Sequence, residues 1–132
     1  MTLYVDSSAL IKRYIKEDGA EEAVAHMASD PVLVTSALTA IEVRRNLKRI
    51  LTDDLEVMRG RFSVDLDAFA VISLDAQVCD DAAKVAEQTL CRSLDAIHLA
   101  AARRAGSATT VLTFDRRQAQ AARSIGLSVI GC

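Results

Sequence analysis

The feature that most constrains this chain is the alternation of short, uninterrupted apolar runs with longer stretches of helical spacing. Beta-branched and aliphatic residues cluster at 3–5, 32–35, 71–74, 109–114 and 127–130. Each run has the length of a strand. Runs such as TLYV and TVLTF do not alternate with polar residues, as strands wetted on one face would. The intervening segments are rich in Ala, Leu, Glu and Arg, with apolar residues at helical spacing, such as Ala82, Val85 and Ala86, or Ile97, Ala100 and Ala101. Strands buried on both faces and separated by helices predict an α/β fold, a three-layer α/β/α sandwich around a parallel central sheet.

The chain has 132 residues, 51% of them hydrophobic, which suits one domain over 1–132. No apolar run is long enough to cross a bilayer, and the start MTLYVDSSAL lacks the pattern of a signal peptide. The expectation is a cytoplasmic protein with no membrane partner. Cys79, Cys91 and Cys132 form an odd set without CxxC spacing and read as reduced thiols, Cys132 exposed. Pro31 precedes the second strand and marks the end of the helix before it.

Two helices can be read by angle. After Ser36, Ala40, Val43, Leu47, Ile50 and Leu51 share a face assigned to the core, while Leu38, Glu42, Arg45 and Arg49 share another. Residues 53–69 predict a further helix with Leu55, Met58, Phe62, Leu66 and Phe69 inward, weakened by Gly60.

A net charge of −2 carries no general signal for nucleic acid. Most of the 16 basic residues are arginines, several paired, as at Arg44 and Arg45 or Arg116 and Arg117. The guanidinium fork suits phosphate oxygens, but an exposed arginine pair is equally a solvated face.

The acidic residues say more. Asp6 follows the first strand and Asp115 follows TTVLTF, so both stand at the carboxyl ends of strands, where open α/β sheets place their sites. Asp95 falls in the first turn of the helix RSLDAIHLA, and Glu42 lies one turn into the helix after Ser36. Each has a structural explanation too. Asp6 and Asp115 are natural N-caps, Asp115 with Gln118 matches a capping box, Asp95 suits the positive end of its helix, and Glu42 can pair with Arg45 or Asn46. Together, converging like charges raise one another's pKa and call for a cation. Magnesium or manganese is the natural one, held by one or two carboxylates and open to a phosphodiester.

The segments TLYVDSSALIKRY, SALTAIEVRRNL, RSLDAIHLAAA and VLTFDRR resemble, in order and spacing, the successive motifs of PIN-domain VapC toxins. The resemblance spans essentially the whole chain. It implies a Mg2+-dependent endoribonuclease (Mn2+ possible as the ion), the toxin of a type II toxin-antitoxin pair. Asp6, Glu42, Asp95 and Asp115 would form the acidic metal site, with Thr113 and Ser7 as nearby hydroxyls. It further implies RNA as substrate, a cognate antitoxin and a homodimer, for which Leu38 and Ile41, outside the assigned core face, offer apolar surface. The antitoxin tail would lie in a groove around Leu10, Tyr14 and the 38–51 helix, with an arginine reaching the four carboxylates. Arg45, Arg49, Arg92 and Arg116 are candidates to hold the RNA backbone. His98, one turn after Asp95 and placed to orient that carboxylate, reads as a structural histidine.

Competing readings fit less well. A phosphoacceptor receiver domain wants a late lysine, and no lysine follows Lys84; a haloacid-dehalogenase-type phosphohydrolase wants D-x-D-x-T where this chain has DSSAL. A catalytically silent PIN-like RNA-binding or scaffold module is the non-enzymatic alternative, opposed by the presence of all four carboxylates.

Overall fold

The computed structural model describes residues 1–29 and 31–132. In chain order the elements are β1 (Thr2–Val5), α1 (Ser7–Leu10) continued by a 3-10 turn (Ile11–Arg13), α2 (Ala20–Ala28), β2 (Val32–Ser36), α3 (Ala37–Ile50), α4 (Leu55–Leu66), β3 (Ala70–Ile72), α5 (Ala76–Thr89), α6 (Ser93–Arg104), β4 (Thr110–Thr113), α7 (Arg116–Ser124) and β5 (Ser128–Gly131). The five strands form one parallel sheet in the order β3-β2-β1-β4-β5. The α/β/α sandwich predicted from the apolar runs is therefore the fold observed.

The strand β1 explains the layering. It lies mid-sheet and alternates its side chains between two cores. Tyr4 points to one side with Val34 and Val111, against Val78 and Val85 of α5, Leu99 and Ala100 of α6, and Ala122 of α7. Leu3 and Val5 point to the other with Leu112, against Leu10, Met27, Val43, Leu47 and Phe62 of α1 to α4. Leu3, Tyr4 and Val5 are all fully buried. A run apolar on both faces is what such a strand needs, so the absence of alternation was the correct signal.

The helix assignments need two corrections. Leu38, placed outside the core face of α3, is buried, because it sits in the first turn directly after the buried end of β2, where the chain is still inside the core. Ile50, placed on the core face, is 41% exposed at the last turn of the helix, while Ile41 is 63% exposed as expected. The segment read as helix at 53–69 forms α4, with Leu55 and Phe62 buried and Met58, Leu66 and Phe69 packed against them.

The strand order sets the location of any site. From β1 the chain moves outward through β2 and β3, then returns to the other side of β1 for β4 and β5. The reversal falls between β1 and β4, and the crevice beyond their carboxyl ends is where such sheets bind ligands. Asp6 and Asp115 follow those two strands, and the Asp6 N–H donates to the Leu112 carbonyl at 3.2 Å to close the seam. Gly131, at φ +107, lies where any Cβ would collide with the Thr113 carbonyl, so the close pairing of β4 with β5 beneath the crevice depends on a glycine there.

Gly60 is the opposite case. It is helical, and nothing lies near the position a Cβ would take. Gly60→Ala should stabilise the domain by about 0.5–1 kcal/mol through lost unfolded-state entropy. Chemical denaturation should show the midpoint rising with an unchanged slope.

Candidate active site

Asp6 is the centre of the site and is 1% exposed. It caps α1, and each oxygen accepts two hydrogen bonds. Oδ1 accepts from Ser8 Oγ at 2.7 Å and the Ala9 N–H at 3.0 Å. Oδ2 accepts from Thr113 Oγ1 at 2.6 Å and Gln118 Nε2 at 2.9 Å. Burial pushes its carboxyl above the usual range, and the nearby His98 and the donated hydrogen bonds offset this without cancelling it.

Glu42 projects from the second turn of α3. Its Oε1 accepts from Ser7 Oγ at 3.0 Å and meets His98 Nε2 at 2.6 Å. Burial raises the carboxyl, but the His98 contact and charge outweigh it, so the pKa is lowered. An ionised Glu42 makes Nε2 of His98 the donor. On its far side, Nδ1 of the buried His98 lies 2.8 Å from the Tyr4 hydroxyl, which donates to Ser36 Oγ at 2.9 Å.

The other two carboxylates share one cation. Arg92 N-caps α6 and folds back over it, donating from Nε to Asp95 Oδ2 at 2.8 Å and from Nη2 to Asp95 Oδ1 at 3.3 Å. The same Nη2 donates to Asp115 Oδ2 at 2.6 Å. Asp115 caps α7 through Oδ1, which accepts from the Arg117 and Gln118 N–H groups. Partial burial raises the Asp115 carboxyl, and Arg92 with these N–H groups brings it below the ordinary value.

Asp6, Glu42, Asp95 and Asp115 thus line one cavity of about 250 Å³, together with Ser7, Arg92, His98 and Gln118. Thr113 stands behind Asp6. Fully buried, it donates to Asp6 and accepts from the Asp115 N–H at 3.1 Å, tying the two strand-end carboxylates together.

Some expectations change. His98 orients Glu42 and not Asp95, because its ring turns toward α3. Glu42 bonds neither Arg45 nor Asn46, which pair with each other at 3.2 Å. Half of the Asp115 capping box forms: the Gln118 N–H reaches Asp115, but its amide goes to Asp6 and the Asp115 N–H goes to Thr113. Of the four arginines expected at the RNA, Arg92 lines the cavity, while Arg45 and Arg49 bond Asn46 and Arg116 is exposed outside it. Leu10 and Tyr14 are core residues and do not line a surface groove. Ser8 and the Gln118 amide escaped sequence reading, since both reach Asp6 only through the fold.

Among the described residues no three acidic, histidine or cysteine groups meet as a ready-made metal cage. Four carboxylates nevertheless face one guanidinium across a shared cavity, and Asp6 is buried with a raised pKa. This oxygen-rich, anionic set fits a hard divalent ion that keeps several waters and takes one or two carboxylates, rather than an ion wanting a closed nitrogen or sulfur shell.

Comparison with known proteins gives a consistent result. The family model of the PIN domain matches residues 3–124. Ribonuclease VapC35 of Mycobacterium tuberculosis is 34% identical over 134 residues, covering 97% of this chain and 95% of the relative. Among solved structures, a toxin-antitoxin complex from Klebsiella pneumoniae superimposes with a TM-score of 0.74 at 20% identity, covering 99% of this chain and 97% of the other. FitAcB from Neisseria gonorrhoeae does so with a TM-score of 0.77 at 21% identity, covering 98% and 97%. With the sheet order, the strand-end carboxylates and full-length similarity in agreement, this chain belongs to the PIN-domain family, among its VapC members.

Proposed function

We propose that this protein is a Mg2+- or Mn2+-dependent endoribonuclease and the toxin of a type II toxin-antitoxin pair. The convergence of Asp6, Glu42, Asp95 and Asp115 on one cavity at the sheet's switch point carries this reading. The relative named a ribonuclease and the neighbour named a toxin-antitoxin complex support it. When bound, the ion supplies Lewis-acid polarisation of the scissile phosphate and acidifies a water for in-line attack.

The chain's own residues set the stage for that chemistry. Asp6 is held by four donors, so it offers the ion a carboxylate whose orientation is already fixed. Thr113 is a positioning residue that acts through Asp6. Glu42 is fixed by His98 and Ser7, and the Tyr4 and Ser36 hydroxyls fix the histidine ring in turn. Asp95 and Asp115 stand at helix N-termini, where their charge is stabilised. Arg92, half-exposed among these carboxylates, is a cation of the same cavity that can meet a phosphate there.

The partner surfaces follow from α3 and α4. Between these helices runs a cavity of about 500 Å³ lined by Ala40, Arg44, Arg59, Phe62 and Leu66. It replaces the groove expected at Leu10 and Tyr14 and suits an apolar antitoxin helix. With Leu38 buried, a homodimer would rest on Ile41. At tens of micromolar, an order of magnitude near ordinary transient affinities, light scattering should report a dimer for the native chain and a monomer for Ile41→Asp.

Asp6→Asn tests the reaction. Asn accepts from Ser8 and Ala9 through its carbonyl, while the Thr113 hydroxyl and Gln118 amide can turn to meet its NH2 group. The fold should survive, whereas metal-dependent cleavage of RNA should fall by at least 100-fold. Wild-type rates in the purified variant would refute the assignment.

The same substitution has a signature in stability. A carboxyl whose folded pKa lies above its unfolded value binds more protons when folded, so its stabilising contribution is complete below pH 3.8 and is lost as pH climbs through the folded value. In metal-free buffer the wild type should therefore lose stability over that interval. Asp6→Asn should lose less, and at neutral pH should be at least as stable as the wild type; thermal melts across pH 4–8 check this.

A further inference from the structure

We propose that the cavity adjoining the acidic site, between the α5–α6 connection and α7, binds one unpaired nucleotide of the RNA strand next to the scissile phosphate. This rests on the ribonuclease reading above and assigns that enzyme a substrate subsite. The cavity measures about 340 Å³. Its wall is continuous with the acidic cavity, because Arg92 and Asp95 line both. A strand with its phosphate at the carboxylates and its next nucleotide in this cavity would cross the Arg92 guanidinium.

The lining suits that occupant. Arg117, Gln120 and Ser124 project from one face of α7, spaced three and four residues apart. Among the described residues the exposed Arg117 guanidinium pairs with no carboxylate. The one carboxylate in the lining, Asp95, is already paired with Arg92. Two guanidinium groups meet a phosphate, and the Gln120 amide offers both donor and acceptor to a base edge.

Leu90 completes the rim. It is 88% exposed and holds φ 57 as the C-cap of α5, a left-handed position where glycine is the usual residue. An exposed leucine there gains nothing for the fold. Beside the cavity it offers an apolar surface to the face of a base. Ligand pockets span roughly 300–1,000 Å³, and a volume near the lower bound suits one nucleotide better than a partner helix.

The test uses the full chain and synthetic single-stranded RNAs, derived from the best-cleaved member of a random-sequence pool and shortened one nucleotide at a time from each end. Wild-type kcat/KM should fall about tenfold on loss of one particular nucleotide beside the cut, the scale of one base contact. Leu90→Gly and Gln120→Ala should cleave the longer RNA about tenfold less well, mainly through KM, and lose little more on shortening. Leu90→Gly should also melt at or above the wild-type temperature, which separates lost binding from lost folding. If both variants keep the full dependence on that nucleotide, the subsite is rejected. Unchanged RNA kinetics with weakened inhibition by the co-expressed antitoxin would assign the cavity to that protein instead. A wild type that cleaves no RNA would remove the ribonuclease reading, and the subsite with it.

Discussion

The burial of one carboxylate at the end of the central strand governs the rest of this molecule. Asp6 is withdrawn from water at a place where desolvation opposes its charge, and four donors from Ser8, Ala9, Thr113 and Gln118 answer that cost. Those donors come from α1, β4 and α7. The carboxylate therefore acts as a knot between the two halves of the sheet, one residue beyond the strand whose side chains enter both cores. Even with these four hydrogen bonds, burial still pushes its carboxyl above the usual range.

Around that knot the remaining carboxylates are held by different means. Glu42 is fixed by a chain of groups running through His98 to Tyr4 and Ser36, so a buried polar network beneath the sheet surface reaches the cavity. Asp95 and Asp115 are gathered by Arg92, whose bonds span the start of two helices. Within the chain itself, these two acids already share one arginine. Arg92 thereby belongs to two neighbouring cavities, one acidic and one mixed.

How much of this was legible in the sequence varies with the range of the interaction. The parallel sheet was readable, because a strand buried on both faces must be apolar throughout, and TLYV and TVLTF meet that requirement over a few consecutive residues. The four acidic positions were readable for a related reason: strand ends and the opening turns of helices are local features, with Asp6 and Asp115 at strand ends, Asp95 in a first turn and Glu42 one turn into its helix. Leu38 and Ile50 were misplaced because a helical wheel knows the angle of a residue but not where along the helix the core begins and ends. Gln118 was seen as a capping partner since its neighbour in sequence was the visible one, whereas Asp6 lies 112 positions away.

The sequence by itself thus determined the layer architecture, the place of Asp6 and Asp115 at strand ends and the oxygen-donor chemistry of the four acids, since all three follow from residue type and local spacing. The tertiary structure alone decided which groups hold those acids: that His98 serves Glu42, that Thr113 and Gln118 support Asp6, and that Arg92 bridges Asp95 and Asp115. Hydrogen bonds and ion pairs act over about 3 Å, and the groups that meet at that distance here come from elements far apart in the chain. No periodicity or motif records such a meeting, because it depends on how the packed layers fix each element's rotation and height above the sheet.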